Sequence, residues 1–306
     1  MRAVSLLPSA TEMLYALGVE PVGVSHECDY PPEAAELPSV IETRVDADAS
    51  SEEINEQVAE ATDNGGVYEI DRELLANLDP DIVVSQGICD VCAVDDSRIR
   101  QAVEELSLDA EVVTSDPHTL ADLLADIERL GAVFNREKRA ASLVASFEAR
   151  IEHVEHATPA SGPRVAVLDW LDPVMVAGHW VPEMIERSGA DYGIAEPGER
   201  SRPREWTEIR AYDPEVLMLS PCGFGVDQAR ANIDAVTGRE GWAELTAVKN
   251  GDVYLVDGNH YVNRPGPRLI ETLELFASVL HPKTVRRPET VGTTVAPFRP
   301  ATVGRE

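Results

Sequence analysis

Lysine is almost missing from this sequence: it occurs only at Lys138, Lys249 and Lys283, so nearly all positive charge is arginine. Cysteine is scarce too. Four residues (Cys28, Cys89, Cys92, Cys222) cannot staple a chain of 306 into a disulfide scaffold. No apolar run approaches the roughly 18 residues that a membrane-spanning helix needs. The opening, Met1 to Gly18, holds a short apolar run, but Pro8 breaks it and Glu12 lies within it. That fits a strand followed by a helix better than a signal peptide. With no lipid-attachment cysteine near the start, the expected location is the cytoplasm, where the thiols stay reduced. An extracytoplasmic location is expected instead if a leader precedes these residues.

Acid is what the chain has in excess. Fifty-five Asp and Glu stand against 26 Lys and Arg, a net charge of −29. The acids are spread along the whole chain, so they are not an interaction tail. Such a field repels nucleic acid and anionic membrane surfaces, and neither is expected as a partner. The reading that fits is adaptation to very high salt, where self-repulsion is screened over a Debye length of only ~3 Å at 1 M.

Strands and helices alternate in the N-terminal half. Residues 3–6, 22–25, 81–85 and 111–114 read as short apolar strands, and 52–61, 71–78, 99–106 and 119–130 as helices. Ser9 and Glu12 have the S-x-x-E spacing of a capping box, and Gly18 is placed to end the first helix. The longest helical pattern, 136–156, keeps Ala140, Leu143, Val144, Phe147, Ile151 and Val154 on one stripe. At 1.5 Å per residue it spans roughly 30 Å. A Pro- and Gly-containing loop at 158–163 stops it. A second series follows, with strands at 164–169 and 253–256 and helices at 182–188, 205–211, 226–236 and 267–280. The alternation in the N-terminal half implies a mainly parallel, covered sheet, and the expected fold class is α/β: two Rossmann-like lobes joined by one long rigid helix. The first lobe takes 1–135, the connecting helix 136–157, the second lobe 164–281 and an irregular tail 282–306.

An internal echo supports related lobes. Leu78-Asp-Pro-Asp-Ile-Val-Val-Ser85 precedes Cys89, and Tyr212-Asp-Pro-Glu-Val-Leu-Met-Leu-Ser220 precedes Cys222. Ligands of open α/β sheets gather beyond the carboxyl ends of strands, where both cysteines fall. Three readings of Cys89-Asp-Val-Cys92 stay open: a redox pair at a helix N-terminus, half of a metal site completed by Cys28 and Cys222, or inert buried thiols. His26, in the loop with Cys28, and His179, in Val176-Ala-Gly-His-Trp-Val-Pro182, are candidate ligand contacts. Trp170, Trp180 and Tyr261 can offer flat surfaces to a macrocycle. Arg200, Arg202 and Arg204 form a basic cluster, read either as a salt-bridged patch or as a contact for ligand carboxylates or phosphate. No nucleophile–base set, phosphate loop or metalloprotease helix appears, so binding without catalysis is expected.

The segment Val22-Gly-Val-Ser-His-Glu-Cys-Asp-Tyr-Pro-Pro32 resembles the V-G-V-S-x-x-x-D-Y-P-P stretch of vitamin B12 binding proteins. Val4-Ser-Leu-Leu-Pro-Ser-Ala-Thr-Glu12 is similar to their first strand and helix, and Arg264-Pro-Gly-Pro-Arg-Leu269 to their R-x-S-P-R-I segment. Over about residues 1–281 the chain resembles the cobalamin and iron-chelate binding proteins of the class III ABC transporter type. His26 to Pro32, Cys89 to Val94 and Gly178 to Glu183 are similar to a leaderless, intracellular-type branch. The resemblance implies a small-molecule metal chelate held between the lobes and handed to an ABC permease. Cobalamin or a metal ion then enters as ligand, not as resident cofactor. It also implies that Glu27, Tyr30, Gln86, Tyr261 and Arg264 line the ligand site. Permease docking falls on Asp95 and Asp96 in the first lobe, and on Thr207 or Glu208 in the second. The alternative is an intracellular thiol-based metal or redox protein using Cys28, Cys89, Cys92 and Cys222.

Overall fold

Runs such as Ile82-Val-Val and Val216-Leu-Met-Leu are short and wholly apolar, and each forms a fully buried strand. The computed structural model describes all residues except 48, 64–65, 89–93, 95, 290–291 and 299–306. It divides into two units, one of Met1–Glu148 with Pro265–Pro267, the other of Ala149–Arg264 with Arg268–Glu306.

Unit 1 runs β1 (Ala3–Ser5), α1 (Pro8–Leu17), β2 (Gly23–Ser25), β3 (Ser39–Thr43), α2 (Ser51–Asp63), β4 (Tyr68–Ile70), α3 (Arg72–Leu78), β5 (Ile82–Gln86), α4 (Asp96–Glu105), β6 (Glu111–Ser115) and α5 (Leu120–Val133). Its six-stranded sheet has the order β4-β3-β2-β1-β5-β6, parallel except for the β3–β4 pair. Val4, Val83, Leu75 and Ile99 pack in its core.

The stripe of α6 (Glu137–Ala157) is real: Ala140, Val144, Phe147, Ile151 and Val154 are all buried. The helix is continuous, and its residues through Glu148 count with unit 1.

Unit 2 runs β7 (Val165–Leu171), β8 (Val174–Val176), α7 (Val181–Arg187), β9 (Arg202–Pro203), α8 (Trp206–Tyr212), β10 (Val216–Leu219), α9 (Val226–Ala231), α10 (Asp234–Thr237), α11 (Thr246–Asn250), β11 (Val253–Val256), α12 (Leu269–Leu280) and β12 (Val295–Pro297). The sheet order is β12-β11-β10-β7-β8-β9, with β7, β10 and β11 parallel and the flanking β11–β12, β7–β8 and β8–β9 pairings antiparallel.

Three expectations need correction. The Ser9–Glu12 capping box is absent. Pro8 takes the first helical position, so Leu7 is the cap residue and Ser9 is already inside α1. The pattern at 226–236 splits into α9 and α10, with Asn232 ending the first. Finally, the stretch read as an irregular tail contains β12, which pairs with β11 and buries Val295. Three residues of edge pairing leave no period for a sequence pattern to reveal.

Candidate functional site

In unit 1 the candidate residues gather beyond β2 and β5. His26, Glu27 and Tyr30 occupy the loop after β2. His26 is held by Ser25 Oγ at 3.3 Å from its Nδ1 and by the Tyr68 ring, 5.7 Å away between centroids. Glu27 Oε1 lies 3.9 Å from His26 Nε2. Tyr30 is 48% exposed, an aromatic face open to solvent. Two candidates turn inward instead. Cys28 is buried, its Sγ 3.1 Å from Thr11 Oγ1, which in turn donates to Ser5. This thiol is part of the packing of α1 against the sheet. Gln86 ends β5 and is buried, its Oε1 accepting from Ile88 N at 2.8 Å. It braces its own loop. Cys89 and Cys92 lie outside the described residues.

In unit 2 the loops after β7, β10 and β11 meet. Trp170, at the end of β7, sits 5.4 Å from the Phe224 ring. Phe224 O accepts from Gly258 N and Asn259 N, in the turn after β11. Only glycine fits at 258, because a Cβ there would meet Pro221 O at 2.1 Å. Cys222 N donates to Asp169 O, tying the β10 loop to β7. The turn that follows carries His260 and Tyr261. Asp257 accepts from His260 N at 2.8 Å and contacts its Nδ1 at 2.9 Å, so the ring's orientation is fixed in the way a supporting carboxylate fixes a metal-binding imidazole. Arg268 lies 5.3 Å from the Tyr261 ring centroid. Burial, together with the charge of Glu271, pushes the Tyr261 hydroxyl above its ordinary pKa, so it stays protonated.

Two other candidates in this unit are internal. Trp180 is buried and its Nε1 donates to Val262 O at 2.8 Å, which makes it a clamp between α7 and the β11 turn. Arg264 is buried with its Nε on Asn259 O at 3.1 Å, so it shapes that turn. His179 adopts a left-handed backbone (φ 53) next to Trp180. Of the basic cluster, Arg202 pairs with Glu199, while Arg204 donates to Ile194 O and approaches Glu208. The salt-bridged reading holds for these two.

The docking residues also separate. Asp95 lies outside the described residues. Asp96 starts α4 but its carboxylate is taken by Ser85, Thr114 and Arg100. Its burial disfavours charge, yet these hydrogen bonds outweigh that and hold it below its ordinary pKa. Thr207 and Glu208 are exposed on the first turn of α8, where Glu208 also caps Glu205 N at 3.0 Å. Among the described residues, no group of three or more His, Cys, Asp or Glu side chains is arranged to hold a metal ion.

Phe224, His260 and Asp169 were not singled out from the sequence. The one signal available was for Asp169, an acid ending the apolar run Val165-Ala-Val-Leu168. His260 and Phe224 lie in loops with no motif around them.

Known proteins share this arrangement of strands and loops. The model of the periplasmic binding protein family matches residues 4–259. The uncharacterized ABC transporter substrate-binding lipoprotein YvrC of Bacillus subtilis is 26% identical over 297 residues, covering 93% of this chain and 81% of the relative. A vitamin B12-binding protein of Vibrio cholerae is 25% identical over 285 residues, covering 91% and 88%. A solved periplasmic heme-binding protein of Pseudomonas aeruginosa has a TM-score of 0.67 at 21% identity, covering 92% and 93%, a likeness of fold. A single family model spanning both α/β units, from β1 to the turn after β11, makes this chain a member of the periplasmic binding protein family.

Proposed function

We propose that this protein binds a metal chelate, a corrinoid or a chemically similar planar or caged complex, and releases it unchanged as the substrate-binding component of an ABC transporter. The observation that carries the reading is the meeting of the β7, β10 and β11 loops, which brings Trp170, His260 and Tyr261 to one end of the sheet, with buried Phe224 packed against Trp170. Aromatic faces suit an extended macrocycle, and an imidazole oriented by a carboxylate suits its metal. Exposed Tyr30 with His26 offers a similar pairing in unit 1. The name of the Vibrio relative supports a corrinoid as first choice. The thiol-based alternative loses ground because Cys28 is packed against Thr11.

The family and the lipoprotein relative favour work outside the cytoplasm, against the expectation drawn from the opening residues. No helix among the described residues is long and apolar enough to cross a membrane. Glu208, still exposed, is the carboxylate we assign to a permease contact.

Spectrophotometric titration in high salt with cyanocobalamin, hemin and a ferric hydroxamate tests the proposal. We expect saturable binding of at least one, weakened tenfold or more by Trp170→Ala or Tyr261→Ala, on the order of 1.4 kcal/mol or more. No binding of any chelate by a folded protein would refute it.

A further inference from the structure

Three buried side-chain atoms among the described residues have no hydrogen-bond partner: Asp169 Oδ1, Ser220 Oγ and Arg204 Nε. All three lie in unit 2. Asp169 and Ser220 stand at the carboxyl ends of β7 and β10, one residue past the last paired positions, Leu168 and Leu219. The other oxygen of Asp169 accepts from Ser201 Oγ, and Ser201 Oγ accepts from Gly178 N at 3.0 Å. Residues 199–203 thus cross over the loop after β8. His179 N donates to Glu199 O, and Gly198 N donates back to His179 O at 2.9 Å. The crossing is close enough that a Cβ on Gly178 would meet Glu199 O at 2.2 Å.

The two sides of this contact differ in strength. β7 is an inner strand, flanked by β10 and β8. β9, by contrast, is a two-residue edge strand whose residues are both exposed. If the contact opens, it is the crossing segment that leaves.

We propose that residues 199–203 are a strap whose hold on unit 2 is set by a proton on Asp169, shut when the carboxyl is protonated and loosened when it is ionised. Asp169 is 91% removed from solvent (9% exposed) and has no ion-pair partner among the described residues. The titratable or charged groups around it are few. Tyr192, whose hydroxyl donates to Ala177 O, is pushed further up by the Asp169 charge. His179 follows β8, Cys222 follows β10, and the strap and its end carry Arg200, Arg202 and Arg204, with Arg202 on Glu199. None neutralises the carboxylate directly. Burial pushes its pKa up to about 6, against the pull of the Ser201 hydrogen bond. Opening the strap would hydrate the carboxylate and return it towards the ordinary value of roughly 3.9. The shut form therefore binds the proton more tightly than the open form. By linkage, acid favours the shut form and neutral pH favours the open one, the proton passing to and from solvent.

Hydrogen exchange of the whole chain in high salt, corrected for intrinsic rates, tests this. The Gly178 and His179 amides should be about tenfold better protected at pH 5 than at pH 8, from the two pKa values above. The Leu217 amide of β10 is the internal reference for global opening. In Asp169→Asn the pH dependence at 178–179 should vanish. Carbon-13 titration of the wild-type Asp169 carboxyl, which needs no variant, should show a midpoint well above 4. A pH-independent wild-type strap, an unchanged slope in the variant, or an ordinary carboxyl midpoint would each overturn the proposal.

Discussion

Aspartates of one chain can respond to acid in opposite ways, and the partners of each decide which. Asp169 is buried with one oxygen unpartnered, so protonation relieves it. Asp96 carries donors from β5, β6 and α4, so protonation costs it. Its folded pKa is lowered, and the stability it lends is therefore complete above the ordinary carboxylate range and is lost as pH falls through the lowered value. Asp96→Ala should cost about 1–2 kcal/mol at pH 7, less than a fully buried charge because the side chain is 27% exposed. Urea melts check this, and the gap between wild type and variant should close as pH drops below about 4. The same dependence on partners separates the tryptophans. Trp170 and Trp180 look alike in the sequence, yet one ends a strand beside Phe224 and the other is clamped by Val262 O.

Elements were the most legible level. The two Asp-Pro echoes correspond: Asp79 ends α3 and Asp213 ends α8, both in left-handed backbone (φ 41 and 47), and each leads into an inner strand beside the first strand of its unit. What differs is the second job of the side chain. Asp213 accepts from Thr246 N at 2.8 Å and Thr246 Oγ1 at 2.7 Å, hydrogen bonds that lower its pKa and cap α11. Glycine adopts this backbone without strain. Asp79→Gly should thus be neutral or stabilising by up to about 1 kcal/mol, whereas Asp213→Gly should destabilise by about 1–2 kcal/mol, since it strips Thr246 of its partner. Thermal melts of the two variants, run side by side, give the comparison. Equal effects would mean the left-handed turn alone governs both sites. Short strands such as β8, β9 and β12 went unread because two or three residues carry no usable period, and their pairing comes from neighbours distant in sequence.

For the whole molecule, charge sets the response to the solvent. A net charge of −29 with only three lysines makes self-repulsion strong in dilute buffer and short-ranged in concentrated salt. We expect circular dichroism and light scattering to report loss of structure and expansion on dialysis into salt-free buffer, reversed by adding salt. An unchanged spectrum without salt would remove the high-salt reading and leave the binding proposal untouched.

Composition, the alternation of strand and helix patterns and a handful of motifs determined the α/β class, the long α6 and the family, because burial periodicity and turn chemistry are local properties written residue by residue. Only the tertiary structure decided which candidates are surface and which are packing. Cys28, Gln86, Trp180, Phe224 and Arg264 turned inward, while His260 was brought to the ends of the strands. Direction and partners depend on contacts between segments far apart in the chain, and no local pattern encodes them.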